Sequence, residues 1–248
     1  MTTVKNIYDY INSIAPFDAQ EEWDNSGHLV GDFRREVKKC VMALDATKAV
    51  CEYSAEIGAD LLLTHHPIIF GGLDDVLKGS PVYTLISGNV AAISAHTNYD
   101  FADCGINCNL AQLLELKNAK RLNDTLIFVG ELDGEMSIDD FAEYVSDKLD
   151  CQGLRYTDTD KPIKTVAVGG GACEEYANEA LEVADVFLTG DMKYHAMLDF
   201  SQDGRAVISA GHYETEYAAF MMLKDKLEAV FTDVEFISAN QPNPVKTV

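Results

Sequence analysis

The feature that most constrains this chain is that it states one structural phrase twice. Asp60-Leu61-Leu62-Leu63-Thr64 returns as Asp185-Val186-Phe187-Leu188-Thr189, and Ala91-Ala92-Ile93-Ser94-Ala95-His96 returns as Ala206-Val207-Ile208-Ser209-Ala210-Gly211-His212. Upstream of each copy lies another apolar run, Cys40-Val41-Met42-Ala43-Leu44 in one and Val166-Ala167-Val168 in the other, followed by a stretch of helical character. A single echo between short strands arises readily, because strands draw on few residue types; two in the same order do not. The offset is 125 residues for Asp60 and Asp185 but 116 for His96 and His212, so loop lengths have diverged.

Short apolar runs alternating with helical patterns build layered α/β units. The expectation is therefore an α/β fold of two related lobes made by internal duplication, residues 1–125 and 126–248, with the C-terminal strand free to return to the first lobe. Asn-Asp and Asp-Gly turn signals between Asn123 and Gly134 flank Leu126-Ile127-Phe128-Val129, a short strand assignable to either lobe. Val4, Ile7, Ile11 and Ile14 recur at helical spacing and predict an opening helix. After His212, a helix is expected to bury Phe220, Leu223, Leu227 and Val230 on one stripe, followed by a strand around Val234–Ile237. The tail Gln241-Pro242-Asn243-Pro244 is expected to be irregular and exposed.

Composition narrows the function classes. At 248 residues and 47% hydrophobic content the chain can bury a substantial core. Forty-one acidic against 19 basic residues give a formal charge of -22, which repels phosphate backbones and anionic lipid, and no dense Lys/Arg cluster offsets it. Direct nucleic-acid binding and membrane association are not expected. No apolar run approaches the roughly 20 residues needed to span a bilayer, and the N-terminus lacks a secretory pattern, so a cytoplasmic protein is expected. Cys40, Cys51, Cys104, Cys108, Cys151 and Cys173 form no Cys-x-x-Cys pair and read as reduced, mostly buried thiols.

Potential metal ligands fall at equivalent places in the repeat. His65 and His66 end one strand before Pro67; His96 and Asp100, four apart, follow another; His212 and Glu216, also four apart, follow its counterpart. Neutral imidazole is the commonest protein ligand for transition metals, and residues at i and i+4 share a helix face. Strand ends on one side of a sheet are where α/β proteins place their sites, so these segments can converge on one cleft between the lobes. Successive strand residues point to opposite faces, which sets His65 against His66 unless the chain leaves the strand, as Pro67 encourages. Even three of these imidazoles with the two carboxylates exceed one four-coordinate site but suit two ions bridged by Glu216 or Asp100.

Each motif alone has a plainer reading. His-His-Pro serves equally well as a hydrogen-bonded strand end, His96 and Asp100 as a turn cap, and His212 with Glu216 as a solvated helix start. Asp191 is a candidate N-cap for a helix through Lys193 and His195. Glu22-Trp23-Asp24-Asn25-Ser26-Gly27, holding the only tryptophan, shapes the rim of a cleft or staples the first helix. Gly169-Gly170-Gly171 lacks the Lys-Ser/Thr of a phosphate loop and reads as a tight turn.

As a set, Trp23-Asp24-Asn25-Ser26-Gly27, Thr64-His65-His66-Pro67, His96-Thr97-Asn98-Tyr99-Asp100, Leu188-Thr189-Gly190-Asp191 through His195, and Gly211-His212-Tyr213-Glu214-Thr215-Glu216 resemble the signature of the NIF3-like family, also described as GTP cyclohydrolase 1 type 2 homologues. The resemblance runs over nearly the whole chain. It implies two related α/β lobes, a two-metal centre between them, and a ring-shaped homohexamer assembled as a trimer of dimers. It carries the metal positions onto His65, His66, Asp100, His212 and Glu216, and leaves His96, Lys193 and His195 with supporting, proton-shuttling or substrate-side roles. Ser26-Gly27-His28 departs from the family pattern, which has an apolar residue before the glycine. The chain resembles the short form, without an inserted middle domain.

The expected function is a dinuclear metal-dependent hydrolase of a small metabolite, a nucleotide if the GTP cyclohydrolase resemblance extends to substrate. The alternative is a metal-binding, metal-storage or regulatory interaction protein without turnover. Mixed imidazole and carboxylate ligands suit two divalent ions per subunit, whether zinc, iron, manganese or nickel.

Overall fold

Thr3 opens the first helix because its hydroxyl accepts from the Asn6 amide while the Asn6 side chain accepts from the Thr3 amide, a reciprocal capping box. The helix so started, α1 (Val4–Ile14), buries Val4, Ile7 and Ile11 at the spacing the sequence predicts. The computed structural model describes residues 1–247. The first sheet is built from β1 (Gly27–Val30), β2 (Lys39–Ala43), β3 (Leu61–Thr64) and β4 (Ala91–Ser94), with α2 (Lys48–Glu56) and α3 (Pro81–Ser87) in the crossovers and the single turn α4 (Thr97–Asp100) after β4. Thr47 and Ser80 cap α2 and α3, and Pro81 sits at the first turn, where its missing N–H costs nothing. β3 and β4 are buried at every position, as strands covered on both faces must be.

The second sheet follows in α5 (Ile106–Leu113), β5 (Lys117–Arg121), β6 (Phe128–Met136), α6 (Ile138–Leu149), β7 (Arg155–Tyr156), β8 (Ile163–Gly169), α7 (Ala177–Ala180), β9 (Val186–Thr189), α8 (Tyr194–Gln202) and β10 (Ala206–Ser209). The chain ends in the long α9 (His212–Val230) and β11 (Glu235–Ser238). Strand order is β1-β4-β3-β2-β11 in one sheet and β5-β6-β8-β9-β10-β7 in the other.

The duplication is visible bond for bond. β2, β3 and β4 run parallel with Cys40 opposite Leu61 and Leu61 opposite Ala91; β8, β9 and β10 run parallel with Val166 opposite Val186 and Val186 opposite Ala206. Each set carries one antiparallel edge strand, β1 on β4 and β7 on β10. Asp60 accepts from the amides of Lys38 and Lys39, and Asp185 accepts from those of Lys164 and Thr165, so the repeated aspartate stitches the start of the neighbouring strand in both copies. At the other end Ala95 donates to the Thr64 carbonyl and Ala210 to that of Thr189, each at 2.9 Å. The copies diverge beyond the shared strands, where β11 joins β2 in parallel but β6 joins β8 antiparallel.

The two units are residues Met1–Ala102 with Phe220–Pro242, and Asp103–Ala219 with the residues from Asn243 on. The division falls after Ala102 rather than at the 125/126 boundary the turn signals suggest. Leu110, Ala111, Leu114 and Leu116 join Phe128, Phe141, Val166 and Ile208 in the second unit's core, so α5 and β5 belong there. The Asn123 turn marks the β5–β6 hairpin instead, with Asn123 itself at a positive φ of 48°. β6, which contains the run that the sequence left assignable to either lobe, lies in the second sheet, and β11 lies in the first.

Two expectations about the end of the chain are corrected. Phe220, Leu223 and Leu227 are buried, but Val230 is 50% exposed because Phe231 takes the inward place and packs edge-on against Tyr10. The tail is irregular yet not free: Gln241 is buried and hydrogen-bonds the amides of Leu44 and Asp45 and the Asp45 carboxylate. All six cysteines are free thiols, and burial pushes Cys51 and Cys151 up to about 12. Among the described residues no helix is long and apolar enough to cross a membrane.

Candidate metal centre

In the first unit the chain leaves β3 at Thr64, whose hydroxyl donates to the His66 carbonyl and folds the backbone over. Both imidazoles consequently come to the same side, their ring centroids 4.9 Å apart, and the alternation that would have separated them is broken by this turn. His96, at the N-cap of α4, brings a third ring, and one ring nitrogen from each of His65, His66 and His96 lies within 4.8 Å of the others. His65 is fully buried. Asp100, one helical turn after His96, places Oδ1 3.5 Å from His65 Nε2.

Each of these rings is held by the nitrogen that faces away from its neighbours. His65 Nδ1 donates to the Ala95 carbonyl, His66 Nδ1 to Asp45 Oδ1, and His96 Nδ1 to Asp24 Oδ1, all at 2.7 Å. A carbonyl or carboxylate oxygen only accepts, so the proton sits on Nδ1 and Nε2 is left as the electron-pair donor. Asp45 is in turn fixed by Gln241 from the tail. Asp24 is fixed by the hydroxyls of Ser26 and Thr97 and by the Thr97 amide, with its side chain fully buried. Burial alone would raise the Asp24 pKa, but the bonds from His96, Thr97 and Ser26 outweigh it and hold this carboxyl well below the ordinary range.

In the second unit His212 opens α9 and Glu216 lies on the same face, with His212 Nε2 3.1 Å from Glu216 Oε2 and His212 Nδ1 2.7 Å from Asp191 Oδ2. Burial pushes the imidazole down, yet the hydrogen bonds to Asp191 and Glu216 prevail and raise it to about 10. A cation taking this position must displace that proton. Asp191 is therefore not the helix cap that the sequence suggested: Lys193 is the N-cap residue of α8, and Asp191 orients His212.

The glycine run serves Glu216. The Gly170 amide donates to Asn107 Oδ1 and the Gly171 amide to Thr215 Oγ1, so these donors are committed internally and form no phosphate cradle. Gly171 has a positive φ of 67°, and a Cβ there would collide with the Glu216 carboxylate. At Gly190 a Cβ would meet the Gly171 carbonyl at 2.6 Å and His212 Cα at 2.8 Å, which keeps the start of α9 close to β9.

Lys193 and His195 belong to neither donor set. Lys193 Nζ lies 3.7 Å from Glu174 Oε1, and its amide donates to the other oxygen of that carboxylate. With Arg155, Asp191 and Asp199 it lines a cavity of about 600 Å³ in the second unit. His195 is exposed on α8 beside the Tyr194 ring. The residues that sequence reasoning missed are the orienting carboxylate Asp45 and the latch Gln241; the only signal for Asp45 was its place just beyond the apolar run of β2.

Each unit thus contributes donors to candidate metal-binding clusters, His65, His66 and His96 from the first and His212 with Glu216 from the second. This defines a duplicated α/β protein with imidazole and carboxylate donors gathered at its strand ends. The sequence pattern of the Duf34/NIF3 (NGG1p interacting factor 3) family matches residues 2–244, and the chain belongs to that family. It is 31% identical over 252 residues to a GTP cyclohydrolase 1 type 2 homolog of Clostridium perfringens, spanning 96% of both chains. It is 32% identical over 245 residues to one of Methanocaldococcus jannaschii, spanning 94% of this chain and 98% of that protein. Among solved structures it is similar to reduced HcgD from Methanocaldococcus jannaschii, with a TM-score of 0.84 and 30% identity over 97% of this chain and 98% of that one. Staphylococcus aureus protein SA1388 shares the fold, with a TM-score of 0.91 and 24% identity over 100% of this chain and 99% of that one.

Proposed function

We propose that this protein is a dinuclear metal-dependent hydrolase of a small metabolite, and that His65, His66, Asp100, His212 and Glu216 hold two divalent ions in one cleft. The observation that supports this most is the common tether: His65, His66, His96 and His212 all bind an oxygen through Nδ1, the arrangement that fixes metal-ligating imidazoles in place. Imidazole nitrogen mixed with carboxylate oxygen suits zinc, iron, manganese or nickel. Asp100 and Glu216, each four residues after a histidine, are the candidates for a bridging ligand. A pair of divalent ions supplies Lewis acidity, acidifying water and polarising an electrophilic centre.

The chain's own residues supply the rest. His96, oriented by buried Asp24, is assigned the role of receiving and returning a proton, since a carboxylate behind an imidazole fixes its tautomer and leaves Nε2 facing the reaction. Lys193, which lines the second unit's cavity together with Arg155, is assigned to an anionic substrate group there, and His195, two residues on, to a substrate-side role. The relatives' description as GTP cyclohydrolase 1 type 2 homologs makes purine-ring opening of a nucleotide the narrower form of this proposal. We assign the protein to the cytoplasm, as a homohexamer formed by a trimer of dimers.

The test is a metabolite screen that includes GTP, run on metal-loaded protein with Glu216→Ala as the control. Hydrolysis that rises with metal content and disappears in the variant is expected. A fully loaded protein that turns over no member of the library would make it a metal carrier or regulatory binder instead.

A further inference from the structure

Two large aromatic side chains stand in the open beside the first donor cluster, and nothing in the proposed chemistry so far uses them. Trp23 is 58% and Phe70 57% exposed. Leaving two such rings in water forgoes the apolar burial that aromatic side chains normally contribute to a fold. The loops that carry them are nevertheless anchored. Asn25 Nδ2 donates to the Ile69 carbonyl at 2.7 Å, tying the Trp23 loop to the Phe70 loop, and buried Asp24 pins the Trp23 loop to Ser26, Thr97 and His96. Exposure here is a held position.

The rings are set at 60° with centroids 5.9 Å apart. A slot that sandwiches a third ring needs about 7 Å between parallel faces, twice the roughly 3.5 Å contact distance of carbon atoms. Trp23 and Phe70 therefore form an open corner, where a ligand ring stacks on one face and meets the edge of the other. His96 closes the corner below, its ring 5.9 Å from Trp23 and 6.5 Å from Phe70, both edge-on. Because His96 belongs to the cluster with His65 and His66, a ring resting in the corner lies next to those donors.

Charge limits what that ring can be. Residues 18–33 and 67–77 contain Asp18, Glu21, Glu22, Asp24, Asp32, Asp74 and Asp75 and no lysine or arginine. Without metal at the neighbouring donors, an anionic ring would find only carboxylates on these two stretches, while a cationic ring gains from the π-faces as well. We infer that Trp23 and Phe70 form a stacking subsite for a planar nitrogen heterocycle, neutral or cationic, at the edge of the His65, His66 and His96 cluster. This deepens the hydrolase reading by naming its substrate class, and it rests on that reading only for what happens to the ring once bound.

Trp23 is the sole tryptophan, so its fluorescence reports this corner directly. The titrants are adenosine, 1-methylnicotinamide, nicotinate and ribose, added to the protein as purified and after chelation. Saturable quenching by adenosine is expected in both preparations, with none from ribose; after chelation 1-methylnicotinamide should also quench saturably and nicotinate should bind at least about tenfold more weakly. Phe70→Ala and Phe70→Leu should each weaken adenosine by about 5- to 150-fold, the range for loss of one aromatic stacking partner, with unchanged circular dichroism. The leucine variant keeps apolar bulk without a π-face and so separates stacking from mere hydrophobic contact. Quenching that never saturates, quenching equal with ribose, or Phe70 variants that bind as the parent does would overturn the subsite. Glu216→Ala should bind adenosine undiminished even where hydrolysis is lost, so failure of the metal chemistry and failure of this subsite give different results.

Discussion

Alanine at Glu216 is expected to remove at least one metal equivalent per chain while the far-ultraviolet circular dichroism stays that of the parent. Glu216 is almost wholly buried, lies 3.1 Å from His212 Nε2, and has a glycine at position 171 whose missing side chain leaves room for its carboxylate. Changes to groups that merely orient a ligand cost about 10- to 100-fold in metal affinity, so loss of a direct ligand should exceed that. Asp191→Asn, which disturbs only the orientation of His212, should fall within the smaller range. His65→Ala is expected to lose an equivalent as Glu216→Ala does. Elemental analysis after equilibrium dialysis checks all three; full metal content in both the Glu216 and His65 variants would reject the ligand assignment.

Asp24→Ala is expected to destabilise the first unit strongly. It strips the acceptor from His96 Nδ1, from the amides of Asn25 and Thr97, and from the hydroxyls of Ser26 and Thr97. Leaving a buried donor without its acceptor costs about 1–3 kcal/mol, and with several donors stripped at once a loss of about 3–5 kcal/mol is expected. For a chain of this size each kcal/mol lowers the melting temperature by about 2–4 °C, so a fall of about 6–20 °C is predicted. The pH dependence has a definite sign. The Asp24 carboxyl is held below its unfolded value, so its stabilisation is complete above about pH 4 and is lost as the pH falls further toward the folded value. The stability gap between parent and variant in urea titrations should therefore narrow below about pH 4. A gap that is absent at pH 7, or that widens on acidification, would contradict the role given to this carboxylate.

How much of this was legible in the sequence depends on the range of the interaction. The repeat was readable because parallel strands buried on both faces must be apolar throughout, and because Asp60 and Asp185 do the same local work at the start of each copy. The histidines that the structure gathers into candidate clusters stood out in the sequence because few histidines follow a strand so closely. What escaped depends on contacts between residues far apart in the chain. Asp45 looks like any polar residue after a strand until Gln241, 196 positions later, latches it behind His66. Asp191 has the sequence context of a helix cap, and only the folded chain sets it against His212. The division after Ala102 was hidden for the same reason: turn residues at Asn123 are a strong local signal, whereas the packing of Leu110, Leu114 and Leu116 into the second core is not local at all. Val230 followed the helical stripe by spacing, but the helix ends there and Phe231 fills the inward place.

The central claim is that donors carried by the two copies of one α/β phrase hold a pair of cations. Anomalous diffraction from crystals equilibrated with zinc or manganese tests it most directly. The account predicts two peaks per chain, with His65, His66, Asp100, His212 and Glu216 within about 2.0–2.3 Å of one or both, the usual range for such ligands. A single peak touched only by residues of one copy, or strong anomalous density elsewhere with these five side chains left at their present hydrogen bonds, would contradict it.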